Sequence, residues 1–114
     1  MDDARPVFFA SSSDLRGWFE ANHDKAGELW VGYYKRDSGR STVTYHESVD
    51  VALCFGWIDG VRHSIDGDSF TQRFTPRRKG SYWSSVNIKK VEGLIARGLM
   101  HEAGLRAFEA RDKD

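Results

Sequence analysis

A glycine turn between two extended segments constrains the fold of this chain more than any other sequence feature. Residues 61–65 have the character of a strand, and in residues 69–75 bulky side chains alternate with smaller or charged ones. Gly67 lies between the two segments and suits a tight turn, because glycine readily adopts positive φ. Pro76 has no amide hydrogen to donate, so the second strand is expected to end there. The pattern predicts an antiparallel β-hairpin.

Apolar residues recur at helical spacing in four other places. Thr44 and Glu47 match a capping box, in which each side chain bonds the backbone amide of the other. Asn87 is expected to cap the third helix, and Gly98 fits the position just after it. The predicted helices run from the serines at 11–13 to about Asn22, from Thr44 to about Phe55, from Ile88 to just before Gly98, and from about Glu102 to Arg111.

Short segments rich in apolar and β-branched residues predict three more strands, at residues 7–9, 28–35 and 42–44. With the hairpin and the helices, they predict an α+β fold. We expect one domain, residues 1–114, in which helices pack on one face of a small, mainly antiparallel sheet.

Composition is that of an ordinary globular protein, with 39% hydrophobic and 30% charged residues. No apolar run approaches a membrane span, and the acidic start of the chain lacks a signal-peptide core. Cys54 is the single cysteine, so an internal disulfide is excluded, and its apolar neighbours predict a buried thiol. These features predict a cytoplasmic protein. They leave open whether it is a monomer or a homodimer.

Charge is spread unevenly along a chain whose formal net charge is zero. Residues 69–91 carry six Lys or Arg and no acid, a charge of +6. Residues 1–68 carry seven basic and twelve acidic side chains (−5), and residues 92–114 carry four and five (−1). Local fields rather than net charge select charged partners, so this segment is the place to look for a binding site.

The basic segment combines guanidinium groups with an indole and a helix start. Arginine donates in a planar fork that matches carboxylate and phosphate oxygens, and Trp83 can stack on a ring or on an arginine. The helix expected after Asn87 directs free amides toward the same loop. We therefore predict a site for an anionic or aromatic small ligand. The alternative is a solvated basic loop with Trp83 anchored in the core.

Asp59 lies between two glycines at a junction of helix and strand. It could orient Arg73 or Arg77, act as a general base if desolvated, or form a structural ion pair. The neighbouring Trp57 is a second stacking candidate, with a place in the core as its alternative. The predicted ligand-binding set is Trp57, Asp59, Arg73, Arg77, Lys79, Trp83, Ser84 and Asn87.

The sequence carries no motif typical of metal, phosphate or nucleophilic chemistry. The four histidines are not spaced as metal ligands, and the sequence lacks a P-loop, a dinucleotide fingerprint and a nucleophile-elbow serine. No catalytic residue, metal or cofactor is predicted. The hydroxyls of Tyr33, Tyr34 and Tyr45 could serve a ligand pocket, or these tyrosines could simply border the sheet.

Several motifs resemble the YdeI/OmpD-associated family, also called bacteriocin-protection proteins. They are residues 28–35 (ELWVGYYK), Thr44 and Tyr45 with Glu47, residues 52–60 (ALCFGWIDG), residues 72–77 (QRFTPR), and Trp83 and Ser84 with Asn87. The resemblance covers about residues 7–108.

Members of that family are small bacterial proteins loosely tied to tolerance of bacteriocins and cationic antimicrobial peptides, with no settled biochemical activity. The resemblance implies a site at Trp57, Asp59, Arg73, Arg77, Trp83, Ser84 and Asn87. Many members continue into a further basic helical segment, and this chain stops at Asp114, so we do not carry over the function of that tail. A periplasmic location is not carried over either, because no export signal is seen.

Two other functions compete with small-ligand binding. The basic loop, residues 73–90, could serve a module that binds nucleic acid or an acidic protein, using Tyr82 and Trp83 to stack. Asp59 could instead act with Arg73 or Arg77 in an enzyme, although the sequence shows no nucleophile–base pair.

Overall fold

The computed structural model of the protein describes residues 5–111, so the first four residues of the acidic N-terminal stretch and the last three residues of the chain lie outside it. Its elements are β1 (Val7–Phe8), α1 (Ser12–Asn22), β2 (Leu29–Tyr34), a 3-10 turn (Arg36–Ser38), α2 (Tyr45–Cys54), β3 (Trp57–Ser64), β4 (Ser69–Pro76), α3 (Ser85–Ala96) and α4 (Glu102–Glu109).

The strands form one sheet in the order β1-β2-β4-β3. β1 runs parallel to β2, and the other two pairings are antiparallel. The predicted α+β class with a mainly antiparallel sheet is confirmed. Within the described residues, no helix has the length and apolar character needed to cross a membrane.

The predicted hairpin is present, but β3 begins at Trp57 rather than at Val61. The register with β4 shifts between Asp59 and Arg62, as in a β-bulge. A bulge breaks the alternation of side chains along a strand, which explains why the sequence pattern showed only the part after the break. The strand before the bulge directs Trp57 into the core, where it is 2% exposed.

Register divides the side chains of the sheet between two faces. Leu29 and Asp59 both pair with Phe74, so these three point to the face that the helices cover. Arg73 pairs with Trp30 and points to the opposite face. The helix-covered face holds the core, to which the helices contribute Leu15, Phe19, Val51, Leu53, Cys54, Val91, Leu94 and Phe108. Cys54 is buried as predicted, and burial raises the pKa of its thiol.

Two local predictions were wrong. Residues 42–44 are not a strand, because Val43 donates one bond to the Phe9 carbonyl and no ladder follows. The third helix begins at Ser85, capped by Ser84 rather than by Asn87. The Ser84 hydroxyl accepts a hydrogen bond of 3.1 Å from the amide of Asn87, which fixes the helix start earlier than predicted.

Close backbone approach holds α4 against α2. A Cβ on Gly104 would collide with the carbonyl of Cys54, and a Cβ on Gly56 would lie 2.8 Å from that of Ala107. The Cys54 carbonyl accepts a hydrogen bond of 3.0 Å from the His101 amide at the start of α4. This contact sets where the C-terminal helix meets the basic loop.

Candidate ligand-binding site

The connection between β4 and α3, residues 77–84, is the irregular part of the basic loop, and its first residue, Arg77, is the centre of the site. The amide of Arg77 donates a hydrogen bond of 3.0 Å to the Gly56 carbonyl, which holds the loop against the junction of α2 and β3. The Arg77 guanidinium lies 3.7 Å from the centroid of the Trp83 ring. Trp83 is itself 7% exposed, so this guanidinium rests on a fixed surface.

A second stacked pair lies beside the first. Near the end of α4, the Arg111 guanidinium is 3.7 Å from the centroid of the Phe108 ring, and it donates a hydrogen bond of 2.8 Å to the Phe108 carbonyl. The rings of Trp83 and Phe108 meet edge to face at 5.4 Å. The two guanidinium groups are therefore held on adjoining aromatic rings.

The Arg77 guanidinium has hydrogen-bonding capacity that the described residues do not use. Its Nη1 donates to the Tyr82 carbonyl at 3.1 Å, whereas Nε and Nη2 are buried without a partner. The Ser81 hydroxyl is likewise buried without a partner. A buried donor without an acceptor costs about 1–3 kcal/mol, and more when it is charged. The loop therefore holds unsatisfied donors of the kind that bind oxygen-rich anions.

Burial sets the electrostatics of this guanidinium. It lowers the pKa of Arg77 to about 10, and the charge of Asp59 opposes the shift. Arg77 stays protonated at neutral pH, because that pKa still lies well above 7. Its positive charge is thus held in partly desolvated surroundings, where attraction for an anion is less screened than in bulk water.

These groups surround a hollow of about 50 Å³. Small-molecule pockets usually measure about 300–1,000 Å³, so this hollow has room for one charged group and not for a whole ligand. The hollow is lined by basic side chains, one aromatic ring and small residues: Arg77, Arg78, Lys79, Arg111, Trp83, Gly80, Ala107 and Ala110.

The structure brings only part of the predicted site together. Arg77, Lys79 and Trp83 line the hollow. Ser84 follows Trp83 directly, and its hydroxyl caps α3 by accepting from the backbone amide of Asn87.

The other three predicted residues lie elsewhere. Trp57 is in the core, where it meets the Phe19 ring edge to face at 5.2 Å. Arg73 is on the opposite face of the sheet, paired with Glu28 at 2.8 Å. Asp59 accepts a hydrogen bond of 2.8 Å from the Tyr45 hydroxyl. Trp57, Asp59 and Arg73 therefore do not line the hollow beside Trp83.

Sequence reasoning missed Phe108 and Arg111, which α4 brings to the loop. The sequence predicted a helix that reaches Arg111, and in such a helix residues three apart lie on one face; α4 ends at Glu109, so Arg111 follows the helix. An aromatic residue followed three positions later by a basic one is the sequence signal that could have indicated this stacked pair. No sequence signal marked Ser81 as a site residue, because its burial depends on the path of the loop.

Comparison with known proteins gives one match. The model of a family described as "Domain of unknown function (DUF8412)" matches residues 7–107. No curated protein and no solved structure matches the chain. Within residues 5–111, no three His, Cys, Asp or Glu side chains are grouped so that they could hold a metal ion.

Proposed function

Since the chain belongs to the DUF8412 family, a domain of unknown function, we propose a function from the geometry of its site. The protein is a binding domain that captures the anionic group of a small ligand between Arg77 and Arg111. The observation that carries this proposal is the Arg77 guanidinium, which is stacked on Trp83 with two buried nitrogens that have no partner.

A carboxylate or a phosphate fits the chemistry of this hollow. Either group offers paired oxygens to the forked donors of an arginine, and such hydrogen bonds are about twice as strong as neutral ones. The remainder of the ligand would lie outside the hollow, because of its small volume. Tyr82 is 82% exposed beside it and supplies a ring on which an aromatic part of the ligand can stack.

We also propose, from the resemblance in motifs, that the chain is related to the YdeI/OmpD-associated proteins and acts in the cytoplasm. Arg77 and Trp83 belong to that shared motif and form the stacked pair of the hollow. A contribution to bacteriocin or antimicrobial-peptide tolerance would then depend on the bound anion, and it should be lost together with binding.

Two observations favour this function over the alternatives. The basic segment does not form one surface, since Arg73 pairs with Glu28 and Lys90 pairs with Asp50 at 3.1 Å. Because these basic side chains are paired with acids at separate places, they do not support a continuous surface along residues 73–90 for nucleic acid or an acidic protein. An enzyme that pairs Asp59 with Arg73 is disfavoured because the sheet places these two residues on opposite faces.

A thermal-shift titration with phosphate, acetate, benzoate and phosphotyrosine tests the proposal. A ligand that binds only the folded state stabilises it by about 2.7 kcal/mol at 100 times its Kd. We expect at least one of these anions to raise the Tm, and we expect Arg77→Met to abolish the effect. Arg73→Met is the matched control, because it removes an arginine from the other face of the sheet.

The proposal would be wrong if none of these anions stabilised the protein at millimolar concentration. It would also be wrong if Arg73→Met abolished the shift as fully as Arg77→Met. Loss of the shift at high salt alone would not distinguish the two arginines, because exposed and partly buried charges are both screened to some degree.

A further inference from the structure

A larger cleft lies at the end of β2, away from the Arg77 hollow. It measures about 490 Å³, within the range typical of small-molecule sites. One wall consists of the Tyr33, Tyr45 and Phe70 side chains, and the rim carries Lys35, Arg36 and Arg40. The segment from Ser41 to Thr44, which follows the 3-10 turn, closes the other side.

The aromatic wall is held rigidly by contacts behind it. Tyr33 stacks on Phe70 with centroids 4.8 Å apart, and it meets Tyr45 edge to face at 6.4 Å. The Tyr33 hydroxyl shares a hydrogen bond of 2.6 Å with the buried Ser48, and the Tyr45 hydroxyl donates to Asp59. Tyr33 is only 2% exposed, so the ring surface that faces the cleft belongs to the partly buried Tyr45 and Phe70.

The rim is positively charged. Lys35 and Arg36 are exposed, and no ion pair is found for either of them within residues 5–111. Arg40 is positioned by Tyr34, whose hydroxyl accepts a hydrogen bond of 2.9 Å from it and whose ring lies 5.0 Å from its guanidinium. Asp37 is the one acid on the 3-10 turn, so the stretch from Lys35 to Arg40 has a net charge of +2.

From this juxtaposition we propose a second ligand site, for a planar aromatic ring that carries a carboxylate or a phosphate. The ring packs against Tyr45 and the edge of Phe70, whose faces meet Tyr33 and Arg62, and its anionic group faces Arg36 and Arg40. A wall of aromatic rings alone would accept any hydrophobic molecule. The cationic rim beside it adds a preference for a negative charge, so the two together favour an aromatic anion. This site shares none of its lining with the Arg77 hollow.

Amide NMR shifts of the full chain, titrated with 4-hydroxybenzoate and with adenosine monophosphate, test the second site. Cyclohexanecarboxylate and inorganic phosphate are the controls, since each has the charge without the aromatic ring. We expect the aromatic probes to shift the amides of Val43, Tyr45 and Phe70 in both the natural chain and Arg77→Met. Which of the two aromatic probes binds more tightly decides between a carboxylate and a phosphate ligand.

Substitutions of exposed residues on the rim can change binding without disturbing the folded core. Arg36→Ser combined with Arg40→Ser changes exposed side chains and should weaken aromatic-anion binding about tenfold. Phe70→Leu should weaken it as well, by removing one wall of the cleft. The proposal is overturned if millimolar aromatic anions leave these amides unshifted, if cyclohexanecarboxylate binds equally well, or if the shifts vanish in Arg77→Met. The last result would assign the binding to the first site and leave the function proposed for that hollow intact.

Discussion

The Tyr45 hydroxyl donates a hydrogen bond of 2.8 Å to the Asp59 carboxylate, and so joins the first turn of α2 to the start of β3. The sequence suggested that Asp59 could orient Arg73 or Arg77, and within residues 5–111 no ion pair joins it to either arginine. Asp59 still affects Arg77, whose pKa its charge raises against the effect of burial. One carboxylate thus touches the wall of the larger cleft and acts electrostatically on the smaller hollow.

Alkaline pH should remove the contribution of this hydrogen bond. Burial, followed by the bond to Asp59, raises the pKa of Tyr45 to about 12 from an ordinary value of 10.0. The folded state therefore holds the proton more tightly than the unfolded state does, and stability falls as pH rises from about 10 to about 12. We expect the natural chain to exceed Tyr45→Phe in free energy of unfolding at neutral pH, by about 1 kcal/mol. That difference should shrink across this window.

Urea denaturation of both chains between pH 8 and pH 12 measures the effect. Arg77 titrates in the same window with the opposite sign, because its pKa is lowered, so the comparison is made between variants rather than within one chain. Tyr34→Phe, which removes a hydroxyl bonded to the exposed Arg40, reports the general effect of losing a tyrosine hydroxyl. A difference between the natural chain and Tyr45→Phe that stays constant to pH 12 contradicts the prediction.

Replacing Arg77 by methionine should abolish anion binding without lowering the free energy of unfolding. The thioether can still pack on Trp83, and the substitution removes a buried charge with two unpartnered nitrogens. We expect Arg77→Met to be as stable as the natural chain or more stable, by about 0.5–2 kcal/mol, although it no longer binds the anion. Thermal unfolding without ligand measures this. A marked loss of stability would mean that Arg77 holds the loop together and is not kept for binding.

Substitution of two helical glycines by alanine should have opposite effects. Gly104→Ala places a Cβ against the Cys54 backbone carbonyl, which has little freedom to move, so α4 must shift away from α2. Such overpacking costs about 1–3 kcal/mol or more. Gly93→Ala in α3 meets nothing within 4 Å and should stabilise by about 0.5–1 kcal/mol.

The same pair of variants tests the hollow. Because α4 carries Phe108 to the loop and Arg111 follows directly after the helix, Gly104→Ala should also weaken anion binding, whereas Gly93→Ala should leave it unchanged. Calorimetric titration at a temperature where both variants are folded separates this effect from stability. Equal affinity in the two variants would show that α4 does not contribute to the site.

Local signals in the sequence were sufficient for most elements of the fold. The capping box at Thr44 and Glu47 and the positive φ of Gly98, 69°, were predicted from residue types alone, because both depend on contacts within a few residues. The early start of β3 was not, because the bulge after Asp59 interrupts the alternation on which the prediction relied. The cap of α3 is also a short-range contact, yet it was assigned to Asn87 rather than to Ser84, because both residue types favour the N-cap position.

The site was harder to predict than the fold for a related reason. The stacking of Arg77 on Trp83 joins residues of one loop and could be anticipated from their proximity. The placement of Arg73 depends on the register of β4, which directs alternate residues to opposite faces. The approach of Phe108 depends on how α4 docks at Gly104, a contact between distant parts of the chain. The positions of basic and aromatic residues in the sequence therefore could not show which of them reach the hollow and which do not.

The start of α3 offers the most direct comparison between the sequence pattern and the structure. Ser84 accepts a hydrogen bond from the backbone amide of Asn87, so the serine side chain caps the helix and the asparagine side chain does not. Ser84→Ala should therefore lower the free energy of unfolding by about 1 kcal/mol. Asn87→Ala should leave it unchanged or raise it slightly, because alanine favours the helical interior. Urea denaturation of the two variants decides between the caps, since the reverse order of stabilities would restore Asn87 as the cap and move the helix start with it.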